Sequence, residues 1–332
     1  MVGDIIAPEG APLSAAVIGV ADLAKSLSFY RDIIGLTTSS PVTWEGEAFE
    51  KLWHLPPGSQ AIAVFCELPG CPAGRVLLLD FKAPKRKLIR PAGATQIFGL
   101  MNLNFYTDDI AGDAKRLAAK GYAFWSDPQR YVMSSAAGTP TEVIFEGPDG
   151  VPINLVQLTS TDLNTRVGQM NAYVRAHGRT PTGFTPVVTS AHGVRNMDKA
   201  VAFAEKVCKS GILIDVVMAA PEQNHFLRLP PKAKTAVKFV QGNHMFGKIA
   251  LCQPLNYPAT DLAATAAAPH IGYIAQAFVV KNLAETQAAA DALRCEVYSA
   301  PLDIAIPGVG PARSMIVRNP GSGALQQLIQ PL

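Results

Sequence analysis

The chain has 332 residues, 48% of them hydrophobic and 17% charged, with a formal net charge of +3. This composition excludes a disordered protein, and so small and dispersed a charge excludes nucleic acid as the expected partner. No apolar run reaches the ~18 residues needed to span a membrane, and the N-terminus carries Asp4 and Glu9 with no basic stretch, so a cytoplasmic protein is expected.

Val17–Val20 is a short apolar run, followed by a helix that Asp22 caps, that begins near Leu23 and that Gly35 ends. Strand-like runs follow at Ala61–Leu68 and Val76–Phe81. The basic cluster Lys82, Lys85, Arg86, Lys87 and Arg90 reads as a solvated linker. The same order restarts at Asn102–Tyr106, with a helix from Asp109 to Gly121 and strands around Tyr131, Glu142–Phe145 and Ile153–Leu158. The polar segment 159–183 reads as a connection, with a short helix at Val167–Val174. A third copy runs from Val187–Val194 to Ile249–Cys252, and a fourth from Gln276–Val280 to Leu325–Gln330. The five cysteines form no CxxC pair and read as reduced thiols.

The chain also repeats at long range. Val20 to Leu23, followed by Phe29, returns as Val194 to Met197, followed by Phe203. Leu55-Pro56-Pro57 returns at the same offset as Leu229-Pro230-Pro231, whereas Pro128 and Gly150 return one position sooner, as Pro301 and Gly323. An offset this long marks duplicated domains. The expected organisation is a first domain over 1–158 (modules 1–85 and 95–158) and a second over 184–332 (modules 184–255 and 270–332).

The stretch from Val20 through Phe29-Tyr30 to Gly35-Leu36, and the turn and strand Gly147 to Leu155, resemble the vicinal oxygen chelate superfamily, which includes glyoxalase I, bleomycin-resistance proteins and type I extradiol dioxygenases. The resemblance implies an α+β fold of four βαβββ modules, paired into two similar domains, each a curved mixed sheet enclosing a cavity. It also implies where a metal would sit, on the first and last strands of each module. Those positions are Ala15, Asn102, Thr189 and Ala275 on first strands, and Leu77, Asn154, Ala250 and Gln327 on last strands. None is His, Asp, Glu or Cys, and a slip of one residue either way adds none, so no metal cofactor is expected. The six histidines show no HxH, HxxH or HExxH spacing.

Alternation places Asn102, Asn104 and Tyr106 on one inward face with Asn154 opposite, and buried amides need partners that a ligand can provide. The candidate substrate-binding residues are therefore Asn102, Asn104, Asn154, Trp53, Thr189 and Gln327, with Trp44, Trp125 and Tyr131 as further walls, and the candidate proton-transfer residues are Tyr106 and His54. The first half is expected to be the working one, and a homodimer is left open. Three readings remain: an isomerase, lyase or hydrolase acting without metal or cofactor on an oxygenated aromatic small molecule; a binding protein of the bleomycin-resistance kind; and a metal enzyme with relocated ligands, such as His54 or His244 with Glu142.

Overall fold

The computed structural model describes residues 6–83 and 86–332. Each of the four modules places its first strand parallel to its last, with a helix between: Leu13–Gly19 beside Arg75–Phe81, Ile97–Tyr106 beside Pro152–Leu158, Thr189–Gly193 beside Lys248–Pro254, and Gly272–Val279 beside Leu325–Pro331. The helices start alike. Asp22, Asp109, Asn196 and Asn282 each accept a backbone N–H of the first turn, at the N-termini of Leu23–Leu27, Ile110–Ala119, Met197–Lys206 and Leu283–Ala292. The first continues as a wider turn over Ser28–Ile33 and stops at Gly35 with φ +83.

The strands close into two nine-stranded mixed sheets. In one, Leu13–Gly19 pairs antiparallel with Gly272–Val279, joining the first module to the fourth; in the other, Ile97–Tyr106 pairs antiparallel with Thr189–Gly193, joining the second to the third. Four similar modules in two similar curved sheets are as expected, but each sheet draws one module from each half of the chain, so the segments 1–158 and 184–332 do not each build a sheet of their own. The physical reason is that all four first strands offer the same kind of free edge, and strand pattern alone does not say which edge meets which. The seams need a close approach: a Cβ at Gly19 would lie 2.0 Å from the His270 carbonyl oxygen, and one at Gly193, its counterpart in the repeat, 2.0 Å from that of Ile97.

The connection carries a longer helix than expected, Arg166–His177, capped by Thr165. The basic cluster departs only in part from its expected role as a solvated linker, since Lys82 and Lys87 are exposed. Arg86 donates to the Val20 carbonyl, and Arg90 is buried, bonded to Glu146, Gly150 and Ala94. Lys85 lies outside the described residues. Among the described residues no helix is long and apolar enough to cross a membrane.

The concave faces of the two sheets are filled differently. Over the first–fourth sheet, the helix Glu47–Trp53 drives Phe49, Leu52 and Trp53 into a solid cluster with Trp44, Phe65 and Phe81. Over the second–third sheet, the helix Pro221–Phe226 occupies the matching place and contributes Phe226 as its one large buried apolar side chain. His54 and its repeat counterpart Arg228 both end these helices in the left-handed region, at φ 54 and 51.

Candidate functional site

The open cavity belongs to the second–third sheet. It is a cleft of about 800 Å³ counting the open space at its mouth, lined by Trp125, Tyr131 and Phe226 together with Ala191, Val237 and Ala250. A mostly apolar, aromatic lining with a few convergent polar groups has the character of small-molecule sites. Tyr131 stacks on Phe226 with ring centroids 5.6 Å apart, so the two modules clasp each other across the cleft.

Strand alternation sets what faces inward. On Ile97–Tyr106 it points Asn102 and Asn104 into the cleft, on Pro152–Leu158 it presents Asn154 in register with Asn104, and on Pro140–Glu146 it adds Glu142 and Ile144. All four polar residues are under one-tenth exposed. The Tyr131 hydroxyl donates to Glu142 Oε1 at 2.6 Å, Asn154 Nδ2 donates to Glu142 Oε2 at 2.6 Å, and Asn102 Nδ2 donates to Asn104 Oδ1 at 2.5 Å. Asn154 Oδ1 is buried with no partner among the described residues. Burial pushes the Glu142 carboxyl up from the usual range, while the bonds from Tyr131 and Asn154 pull it back in part.

A second chamber adjoins the cleft and shares Asn104, Met133, Glu142 and Phe239 with it as walls. Tyr106, Thr189 and Lys248 face it. The Tyr106 hydroxyl bonds to Met170 Sδ at 3.1 Å, and burial, with Glu142 nearby, pushes the phenol up, so it holds its proton and is a poor base. Lys248 is 1% exposed, and its ammonium donates to the Met245 carbonyl and lies 5.7 Å from the centre of the Tyr106 ring.

The structure thus brings together Asn102, Asn104 and Asn154, with Tyr106 and Thr189 deeper in. It separates Trp53, His54 and Gln327, which were expected at the same site. Trp53 is packed in the filled core of the first–fourth sheet, and Gln327 there donates to Ser314 Oγ at 3.2 Å. His54 is exposed and stacked on Tyr298 at 4.0 Å. The cleft is therefore not built by the first half alone: Asn102, Asn104 and Asn154 come from it, but Ala191, Phe226, Val237 and Ala250 come from the second. Lys248 is not among the residues expected from sequence, and Glu142 is expected only as a relocated metal ligand. Glu142 shares the inward phase of its strand with Ile144, and Lys248 lies two positions before Ala250, the same alternation that located the asparagines.

The eight expected ligand positions do face the two concavities: Ala15, Leu77, Ala275 and Gln327 in one, Asn102, Asn154, Thr189 and Ala250 in the other. The donors do not fit a transition-metal dication. Glu142 is the one carboxylate lining the cleft among the described residues, its neighbours are amides and a phenol, and no three His, Cys, Asp or Glu converge among the described residues. The relocated set is not assembled either: His244 faces Cys71 Sγ at 3.9 Å and the Phe246 N–H, and His54 lies on the other sheet.

Paired βαβββ modules forming curved sheets, one around an aromatic-walled cleft, define a glyoxalase-type scaffold. Residues 13–155 match the model of the Glyoxalase/Bleomycin resistance protein/Dioxygenase superfamily. Over that stretch the chain carries the sequence pattern of the superfamily. Among solved structures it is similar to glyoxalase I from Zea mays, at 15% identity and a TM-score of 0.60, covering 96% of this chain and 92% of that one. A point mutant of the same maize protein gives 16% identity and a TM-score of 0.61, with the same coverage. At such identities the likeness establishes the fold and no more. No curated protein matches the sequence.

Proposed function

We propose that the protein is a small-molecule enzyme of isomerase or lyase type that works by proton transfer in the second–third cleft, without the metal that the scaffold often carries. The observation behind this reading is Glu142, a buried carboxyl raised from its usual range on the wall of an aromatic cleft. A carboxyl in that setting moves a proton more readily near neutral pH than an ordinary surface glutamate. Beside it, Asn154 Oδ1 is free to accept from a substrate hydroxyl, and Asn104 Nδ2, with no partner of its own among the described residues, to donate to a carbonyl oxygen as charge develops on it. The aromatic walls suit an oxygenated aromatic substrate.

The chemistry this equipment supports is abstraction of an acidic C–H next to a carbonyl, with Glu142 taking the proton and the asparagine amide holding the oxygen. A neutral aromatic ketone, 2-tetralone, is a suitable probe. In deuterated water, wild-type protein is expected to exchange its α-protons about 100-fold faster than Glu142→Gln, read by proton NMR. Equal rates reject the reading. So does an activity that a chelator abolishes and that iron or manganese restores.

One observation favours a second reading, a binding protein. The polar groups of the cleft partly satisfy one another, Glu142 through Tyr131 and Asn154, and Asn102 through Asn104. A sequestering protein would bind 2-tetralone and return it with its protons unexchanged.

A further inference from the structure

Lys248 is the one charged residue on a strand otherwise built of Ile249, Ala250, Leu251, Cys252, Gln253 and Pro254, and it is buried on the wall of the chamber adjoining the cleft. Its ammonium carries three donors, and the Met245 carbonyl takes one. No carboxylate among the described residues is bonded to it. Glu142, across the chamber, accepts instead from Tyr131 and Asn154. The other groups turned toward it are the Tyr106 ring, which attracts a cation weakly, and His244, whose pKa is lowered by burial and then further by the lysine itself. Burying a charge without a counter-charge costs several kcal/mol, and a strand in a packed fold rarely keeps one for structure. Thr189 stands directly beside Lys248 in the sheet, at one of the scaffold's metal-ligand positions, and also faces the chamber. The positive charge is therefore delivered by a side chain to the chamber that shares Asn104 and Glu142 with the cleft.

We propose that Lys248 anchors a carboxylate carried by the substrate, so that the natural ligand is an aromatic acid whose ring lies against Trp125, Tyr131 and Phe226 and whose acid group reaches the adjoining chamber. The inference rests on the second–third cleft being the ligand site. It does not depend on Glu142 acting as a base, because it concerns binding alone.

The test uses 2-naphthoate and its neutral near-isostere 2-naphthamide, with affinities measured by calorimetry on the whole chain. Wild-type protein at pH 6 is expected to bind the acid at least tenfold more tightly than the amide, and Lys248→Met is expected to lose that preference while still binding the amide. The preference should also fall as pH rises from 6 to 9, since naphthoate stays ionised throughout while the ammonium gives up its proton. That arm needs no variant, and it decides the matter should Lys248→Met fail to fold. Equal binding of acid and amide by wild type, a preference unchanged across the pH range, or one that survives in a folded Lys248→Met would overturn the anchor and leave the cleft standing. If neither compound binds at millimolar concentration, the cleft as ligand site falls, and the anchor with it.

Discussion

Glu142 is held between two donors of different kinds, and that fixes how it should answer to substitution. Tyr131→Phe removes the hydroxyl that accompanies Oε1 and leaves the ring stacked on Phe226. A lost bond to the charged form raises a carboxyl further, so the acid limb of the pH–rate profile is expected to move to higher pH, with ligand affinity little changed. Lys248 makes the opposite kind of demand. Burial pushes its ammonium down to about 7 from 10.5. Between those values the unfolded chain holds a proton that the folded chain lacks, so stability rises with pH across that window and the residue is most costly below pH 7. Lys248→Met should therefore stabilise the protein by about 1–4 kcal/mol at pH 6, with the gain shrinking toward pH 10, as read by denaturant unfolding at each pH. The asparagines were legible in the sequence because a polar residue at alternate positions of an apolar strand stands out. Glu142 and Lys248 obey the same alternation, but a charged residue in a strand reads first as solvent-facing, and only their burial in the folded chain shows that these two are not.

The elements repeat more faithfully than the residues they carry. Asp22 and Asn196 are counterparts at the offset of the repeat, Asp109 and Asn282 fall one position short of it, and each caps its helix in the same way. Asp109 is exposed and its cap is local, accepting the Gly112 N–H at 3.0 Å. Asp109→Ala is thus expected to cost about 1 kcal/mol and lower the melting temperature by about 2 °C without touching ligand binding, which calorimetry can check. The helices over the two concavities have diverged instead. Trp53 was legible as a large aromatic in the right module, yet the sequence pattern could not say whether it walls a space or fills it. That depends on Trp44 and Phe81 arriving from other elements to meet Phe49 of the same helix, and they do.

At the scale of the molecule, the repeat revealed the modules and concealed their partners. A long constant offset shows that two halves are alike, and adjacency in the chain then suggests that neighbours pair. The structure pairs first with fourth and second with third, because the choice among equivalent edges is made by the connections and by contacts between the sheets. One such contact is His192 on the third module, bonded to Ser322 Oγ on the fourth at 2.5 Å and buried. Burial lowers its pKa to about 3 from 6.5. The unfolded chain therefore binds the extra proton between those values, and stability falls as pH is lowered from 6.5 toward 3. His192→Gln is expected to flatten that part of the stability–pH curve, and a slope unchanged in the variant would show that other groups govern acid unfolding.

The interleaving of the two halves has a consequence for the chain's freedom to vary. Were the halves separate, identical polypeptides, both basins would lie across their contact and would be forced to be twins. Once fused, each basin has its own pair of walls, so one could be plugged with tryptophan and phenylalanine while the other stayed hollow. It follows that fragments cut within 159–183 should be inert apart and regain the hollow basin only when mixed.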